Sequence, residues 1–122
     1  MRFKHTKESH IGIVDDPLDP NGLQVSRETF WVSPADVGDG DQAEWFCLRH
    51  HQHTTNCFVI YFDKPTGSPF NFPTGSLPSI LCNTPGHAVS PGIGVHPGSA
   101  IYQYRIEAPG KNPLDPGGGV KA

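Results

Sequence analysis

The sequence predicts an all-β fold: an antiparallel Greek-key β-sandwich of seven or eight short strands joined by long Pro/Gly loops. Three observations carry that expectation. Gly and Pro number 14 and 13 in 122 residues, while charged residues are only 17%, a composition that disfavours long helices. Apolar residues alternate over short runs, most clearly from Ser99 to Glu107, where Ala100, Tyr102, Tyr104 and Ile106 share one face. Turn-forming clusters separate these runs, and no segment shows a helical period. The 7 Phe, 3 Tyr and 2 Trp supply the bulk of a core. A chain of this length forms one domain and buries roughly two-thirds of its unfolded surface.

The elements follow in order. Residues 1–9 are polar and read as a mobile N-terminal segment, which leaves 10–122 as the sandwich domain. His10 to Val14 is a first strand. Residues 15–22 hold Asn21-Gly22 and two X-Pro steps, so they turn. Gly22 to Ser26 and Glu28 to Val32 form two short strands or one bent one, and Ser33 to Asp41 is a loop. Ala43 to Leu48 is a strand with Ala43, Trp45 and Cys47 on one face. A His-rich loop leads to Thr55–Asp63, the strongest strand. Its apolar residues occupy both faces, which predicts a central position covered on each side. Residues 64–78 make a Pro/Gly-rich excursion pinned by Phe70 and Phe72. Ser79 to Cys82 is a short strand, 84–98 a loop, and Ser99 to Glu107 a half-buried strand. Asp115 to Val120 closes the chain as a turn and a last strand.

Charge and hydropathy exclude several functions. The net charge is −3 and the Lys and Arg residues are scattered, which leaves no basic stripe for nucleic acid. No apolar run reaches the length of a membrane span. Polar residues follow Met1-Arg2-Phe3-Lys4-His5, so no signal peptide is visible. The expected compartment is the cytoplasm if Met1 is native, and the periplasm or exterior if the chain is a processed one.

Chemistry concentrates in Cys and His. Cys82-Asn83-Thr84-Pro85-Gly86-His87 sets a thiol and an imidazole five positions apart across a Pro-Gly turn. With the cluster His50-His51-Gln52-His53, this offers one soft sulfur and two imidazoles, the donors of a blue-copper centre. The only Met is Met1, so no thioether stands near for an axial position. The plainer reading makes Cys82 a small buried hydrophobe and places His87 in a surface turn. On an extended loop His51 and His53 point the same way and can chelate copper or zinc, with His87 or His96 as distant completing ligands. Cys47 and Cys57 lie at the loop ends of two strands expected to pair as a hairpin. They could form a disulfide in an oxidising compartment and stay reduced in a cytosol.

Other signals are weaker. Asp15, Asp16, Asp19 and Asn21, like Asp36, Asp39 and Asp41, are dense in oxygen ligands but lack the spacing of a calcium loop. Pro17 and Pro20 explain the first group as a stiff turn. There is no G-x-S-x-G, and Gly117-Gly118-Gly119 is not followed by Lys-Ser/Thr and a helix, so no enzyme is expected. The aromatic rows read as core rather than as a carbohydrate platform.

Three segments together resemble the cupredoxin-like family. Asp41-Gln42-Ala43-Glu44-Trp45-Phe46 and then Phe58-Val59-Ile60-Tyr61-Phe62 look like the family's W-x-n and H-x-V-x-F strand pair. Pro97-Gly98-Ser99-Ala100-Ile101-Tyr102-Gln103-Tyr104 looks like its P-G-x-Y-x-Y strand, and Asp115 to Lys121 stands where its closing strand would be. The resemblance covers roughly residues 40–122 and implies a cupredoxin-like/immunoglobulin-like sandwich. The family's Cys, His and Met would follow Tyr104, where this chain has Arg105-Ile106-Glu107-Ala108. That departure implies a sandwich without its copper loop. A second alignment puts Cys82 to His87 on that loop as a C-x-x-P-G-H segment.

Two functions result. The first is a non-catalytic binding or assembly module without cofactor, meeting a protein partner or a second copy through loops 64–78 and 84–98. The alternative is a small copper or zinc protein, for electron transfer or metal carriage, with Cys82, His87, His51 and His53 as ligands.

Overall fold

In the computed structural model, residues 8–33, 42–93 and 101–120 are described. They contain strands and turns but no helix. The strands are β1 (His10–Asp15), β2 (Leu23–Val25), β3 (Thr29–Val32), β4 (Glu44–Cys47), β5 (Val59–Tyr61), β6 (Ser79–Thr84), β7 (His87–Val89), β8 (Ile101–Gln103), β9 (Arg105–Glu107) and β10 (Gly117–Val120). They build two mixed sheets. The larger, curled sheet runs β2-β1-β4-β7-β6-β5-β9, and the smaller runs β3-β10-β8.

The expected wholly antiparallel arrangement needs correction. β1 pairs parallel to β4, with His10 opposite Glu44 and Ile13 opposite Cys47. β10 pairs parallel to β3, with Gly118 opposite Phe30. The remaining pairings are antiparallel. The parallel pairs arise where long connections return the chain in the same direction, which short hairpins cannot do.

Alternation sets the burial. Ile11 and Ile13 of β1, Trp45 of β4, Ile60 of β5 and Ile106 of β9 face inward and are buried. Phe30 and Val32 of β3 and Val120 of β10 meet them from the smaller sheet. The centre is aromatic. Phe30 packs edge-on to Trp45 at 5.8 Å between ring centroids and against Tyr104 at 5.5 Å. Phe62 stacks on Tyr104 at 5.0 Å. The one polar need in this cluster is met internally, because Trp45 Nε1–H donates to Tyr104 Oη at 3.1 Å. Burial pushes the Tyr104 phenol far above its usual range, so it stays neutral. Each such ring contributes about 1.5–3 kcal/mol from burial.

The Gly run has a structural use. A Cβ on Gly118 would overlap the Phe30 ring, so the bare backbone there is what lets that ring lie over β10.

Several sequence expectations meet a different outcome. Residues 55–63 do not form a long strand covered on both faces. Only Val59–Tyr61 pairs, and burial alternates, with Phe58, Ile60 and Phe62 inward. Alternation predicts one strand over Ser99–Glu107; its described part breaks at Tyr104 and serves two sheets, β8 pairing with β10 and β9 with β5. Tyr104 N–H instead donates to Pro116 O at 3.0 Å. The stretch expected as loop after Thr84 contains β7, reached by a tight Pro85-Gly86 turn with Gly86 at φ +75°. Phe70 is buried and Phe72 packs on the core, which anchors the 64–78 excursion. Most of the expected mobile N-terminal segment lies outside the described residues, as do His96 and Asp36, Asp39 and Asp41.

Candidate metal centre

The β4–β5 connection starts at Cys47, the last residue of β4, and ends at Cys57, two residues before β5. Both cysteines are buried. Residues 50–56 between them are exposed without exception, so this loop has no apolar side chain docked in the core. What gathers it is polar. One donor atom from each of Cys47, His51, His53 and Cys57 lies within 4.8 Å of the other three.

The separations suit a tetrahedron. With Zn–S near 2.3 Å and Zn–N near 2.1 Å, an S–N edge is about 3.6 Å and an S–S edge about 3.8 Å. Cys47 Sγ lies 3.2 Å from His51 Nε2. Cys57 Sγ lies 3.7 Å from His51 Nε2 and 3.8 Å from His53 Nδ1. The two imidazoles meet edge to face at 5.1 Å, so their nitrogens converge without the rings stacking.

The surrounding backbone positions these ligands. Thr54 N–H donates to Cys57 Sγ at 3.2 Å, and Cys57 N–H returns to Thr54 O at 3.3 Å. Hydrogen bonds to sulfur of this kind stabilise a thiolate. The β6–β7 turn packs against the loop. Gly86 N–H donates to Thr54 O at 3.1 Å, while Cys47 N–H donates to Gly86 O at 2.8 Å. A Cβ on Gly86 would come 3.2 Å from His53 Nδ1, so Gly86 serves both its left-handed turn and the space His53 occupies. At the loop's start, Arg49 Nε–H bonds Asp15 Oδ1 at 2.8 Å and ties it to the end of β1.

Electrostatics favour the neutral forms of Cys47 and His51. Burial pushes the Cys47 thiol up, partly countered by the Arg49 backbone N–H. Partial removal from water, with Arg49 and His53 nearby, holds the His51 imidazole below its usual range. A neutral imidazole has its lone pair free for a cation.

Of the sequence-predicted ligands, the structure brings His51 and His53 together, and places Cys82 and His87 elsewhere. Cys82 is paired with Ala88 across the β6–β7 hairpin and points into the core. Its thiol donates to Phe58 O at 3.6 Å, and burial pushes its pKa up. His87 lies on the opposite face, stacked on Phe46 at 4.6 Å and bonded through Nε2 to Glu44 Oε1 at 2.9 Å. The period of two in a strand separates them. His50 is exposed beside the cluster but is not part of it.

Of the two readings of Cys47 and Cys57, bridge or free thiols, the bridge is not formed: all three cysteines are free thiols. β4 and β5 are not a hairpin, since β7 and β6 stand between them. His51 Nε2 reaches both sulfurs instead. The missed signal is the symmetric spacing C-x3-H-x-H-x3-C, which the disulfide reading divided into a bridge and a separate His pair. The acidic turn holds no open calcium cradle. Asp16 Oδ1 accepts Leu18 N–H, Asp19 Oδ1 accepts Asn21 N–H, and Asp15 pairs with Arg49 and Lys111. Those are Asx turns and surface ion pairs.

Compared with known proteins, the chain matches no family model, no curated protein and no solved structure.

Proposed function

We propose that this protein is a small zinc-binding β-sandwich module in which Cys47, His51, His53 and Cys57 hold one Zn²⁺ and so order the β4–β5 connection. The convergence of those four donors within 4.8 Å carries the reading. Two thiolates and two imidazoles in a tetrahedron suit zinc, whose structural sites are four-coordinate and closed. Four protein ligands leave no resting position for a reactive water. The module is therefore non-catalytic, and it acts by presenting a stiffened surface to a partner. The exposed loop residues Gln52, Thr54 and Asn56 lie on that surface.

The experiment is elemental analysis of protein purified without an affinity His-tag, followed by Co²⁺ substitution. The expected result is about one zinc per chain and a tetrahedral cobalt spectrum with a thiolate charge-transfer band. The band weakens in Cys47→Ser and Cys57→Ser and is unchanged in Cys82→Ser. A metal-free chain that gains no cobalt spectrum, or a spectrum lost only in Cys82→Ser, sinks the reading.

A further inference from the structure

The proposed zinc site has one open side. A surface cavity of about 190 Å³ is lined by Arg49, His51, Gln52, Thr54, Asn56, Cys57 and Pro109. It therefore reaches two of the four ligands, His51 and Cys57. The other two are not in its wall. Cys47 is buried at the end of β4, and His53 stands against the Gly86 turn. The ligand set is thus lopsided: one half is enclosed by strands and a hairpin, and the other faces a hollow large enough for a small molecule.

The wall chemistry selects an occupant. Arg49 is its one fixed cation, tied through Nε to Asp15 behind the wall at 2.8 Å, and no Asp or Glu lines the hollow itself. Gln52, Thr54 and Asn56 add hydrogen-bonding groups of both kinds. A small anion with metal-binding oxygens or sulfur meets a positive charge and polar partners there, a few ångströms from a bound cation. His51 is the ligand such a molecule would displace. It sits on the exposed loop, whereas Cys57 is held by the paired Thr54 bonds.

Resting on the zinc reading above, we infer that the cavity is the port through which metal enters and leaves. A small anionic chelator docks beside Arg49, displaces His51 from the zinc, and withdraws the ion while Cys47, His53 and Cys57 still hold their places. The zinc–ligand bonds are replaced by zinc–chelator bonds, His51 leaves as a neutral imidazole, and the sulfurs of Cys47 and Cys57 take up protons from water as the ion departs. The module then exchanges zinc with small carboxylate or thiol carriers and is not a permanently locked site.

The test is stopped-flow transfer of zinc from the loaded protein to nitrilotriacetate, in the wild type, Arg49→Gln and Asn56→Trp. Zinc affinity is measured for each by competition at equilibrium. The expected wild-type rate saturates with nitrilotriacetate, because docking precedes withdrawal. It falls about tenfold in Asn56→Trp, which fills the hollow while its affinity holds, and in Arg49→Gln it falls by more than any change in that variant's zinc affinity accounts for. A rate that never saturates and is equal in all three proteins overturns the port and leaves the zinc site standing. A chain that carries no zinc overturns both.

Discussion

Two regions of this protein are ordered by different physics. Around Trp45, Phe30, Phe62 and Tyr104, the chain is held by large apolar rings that exclude water and satisfy their one polar pair internally. Between Cys47 and Cys57, only the end residues are buried and every side chain from 50 to 56 is exposed. No hydrophobic term of any size acts on that loop. Its shape depends on two thiols, two imidazoles and a few backbone hydrogen bonds. The difference teaches that a single small domain can combine a self-sufficient apolar core with a segment gathered by polar groups alone, four of them able to hold a metal ion.

The contrast is broken most severely from the core side. Trp45→Ala removes the central ring and leaves Tyr104 Oη without its donor, at a cost of about 3–5 kcal/mol. The expected outcome in thermal denaturation is a large fall in Tm, or no cooperative transition, whether or not zinc is supplied. Chelation of the metal comes next. A ligand at a thousand times its Kd stabilises by about 4.1 kcal/mol, so the chelated protein should melt earlier while its near-ultraviolet dichroism, which reports the core aromatics, is kept.

Smaller changes sharpen the boundary between the regions. Gly86→Ala forces a side chain into the left-handed region, a cost of roughly 1–2 kcal/mol, and crowds His53. Weaker zinc binding in competition titrations should accompany a modest loss of stability. Asp15→Asn removes the partner of Arg49 and Lys111 at an exposed site, worth about 0.2–1 kcal/mol at most. The sign with pH follows from the lowered Asp15 pKa. Burial would raise it, but Arg49 and Lys111 outweigh that. This small stabilisation is therefore present at neutral pH and is lost as pH falls through the acid range. Urea titrations of both proteins should converge at low pH.

Period-two alternation made much of the fold legible in the sequence. The inward sets Ala43, Trp45, Cys47 and Tyr104, Ile106 are buried as the pattern requires. Less legible were features that depend on distant pairing. The parallel partnership of β1 with β4 leaves no local trace, because it is made by residues about 34 positions apart. Nor does alternation reveal that Tyr104 marks a change of sheet, since its side chain continues the pattern while its backbone leaves β5's neighbour for Pro116. At the site, His51 and His53 stood out by residue type. Cys47 and Cys57 were legible as a close pair, yet their role turned on whether β4 and β5 were neighbours. Cys82 and His87 misled because a short motif shows spacing and not the face on which each side chain lies.

The central claim is that metal orders the loop and packing orders the core. Amide hydrogen exchange on the zinc-loaded and chelated protein, read by residue, tests it most directly. The account predicts that chelation removes protection at Cys47, Thr54, Cys57 and Gly86, while Trp45, Ile60 and Ile106 exchange as slowly as before. Equal protection of the loop with and without metal, or a collapse of protection across the core on chelation, would contradict it.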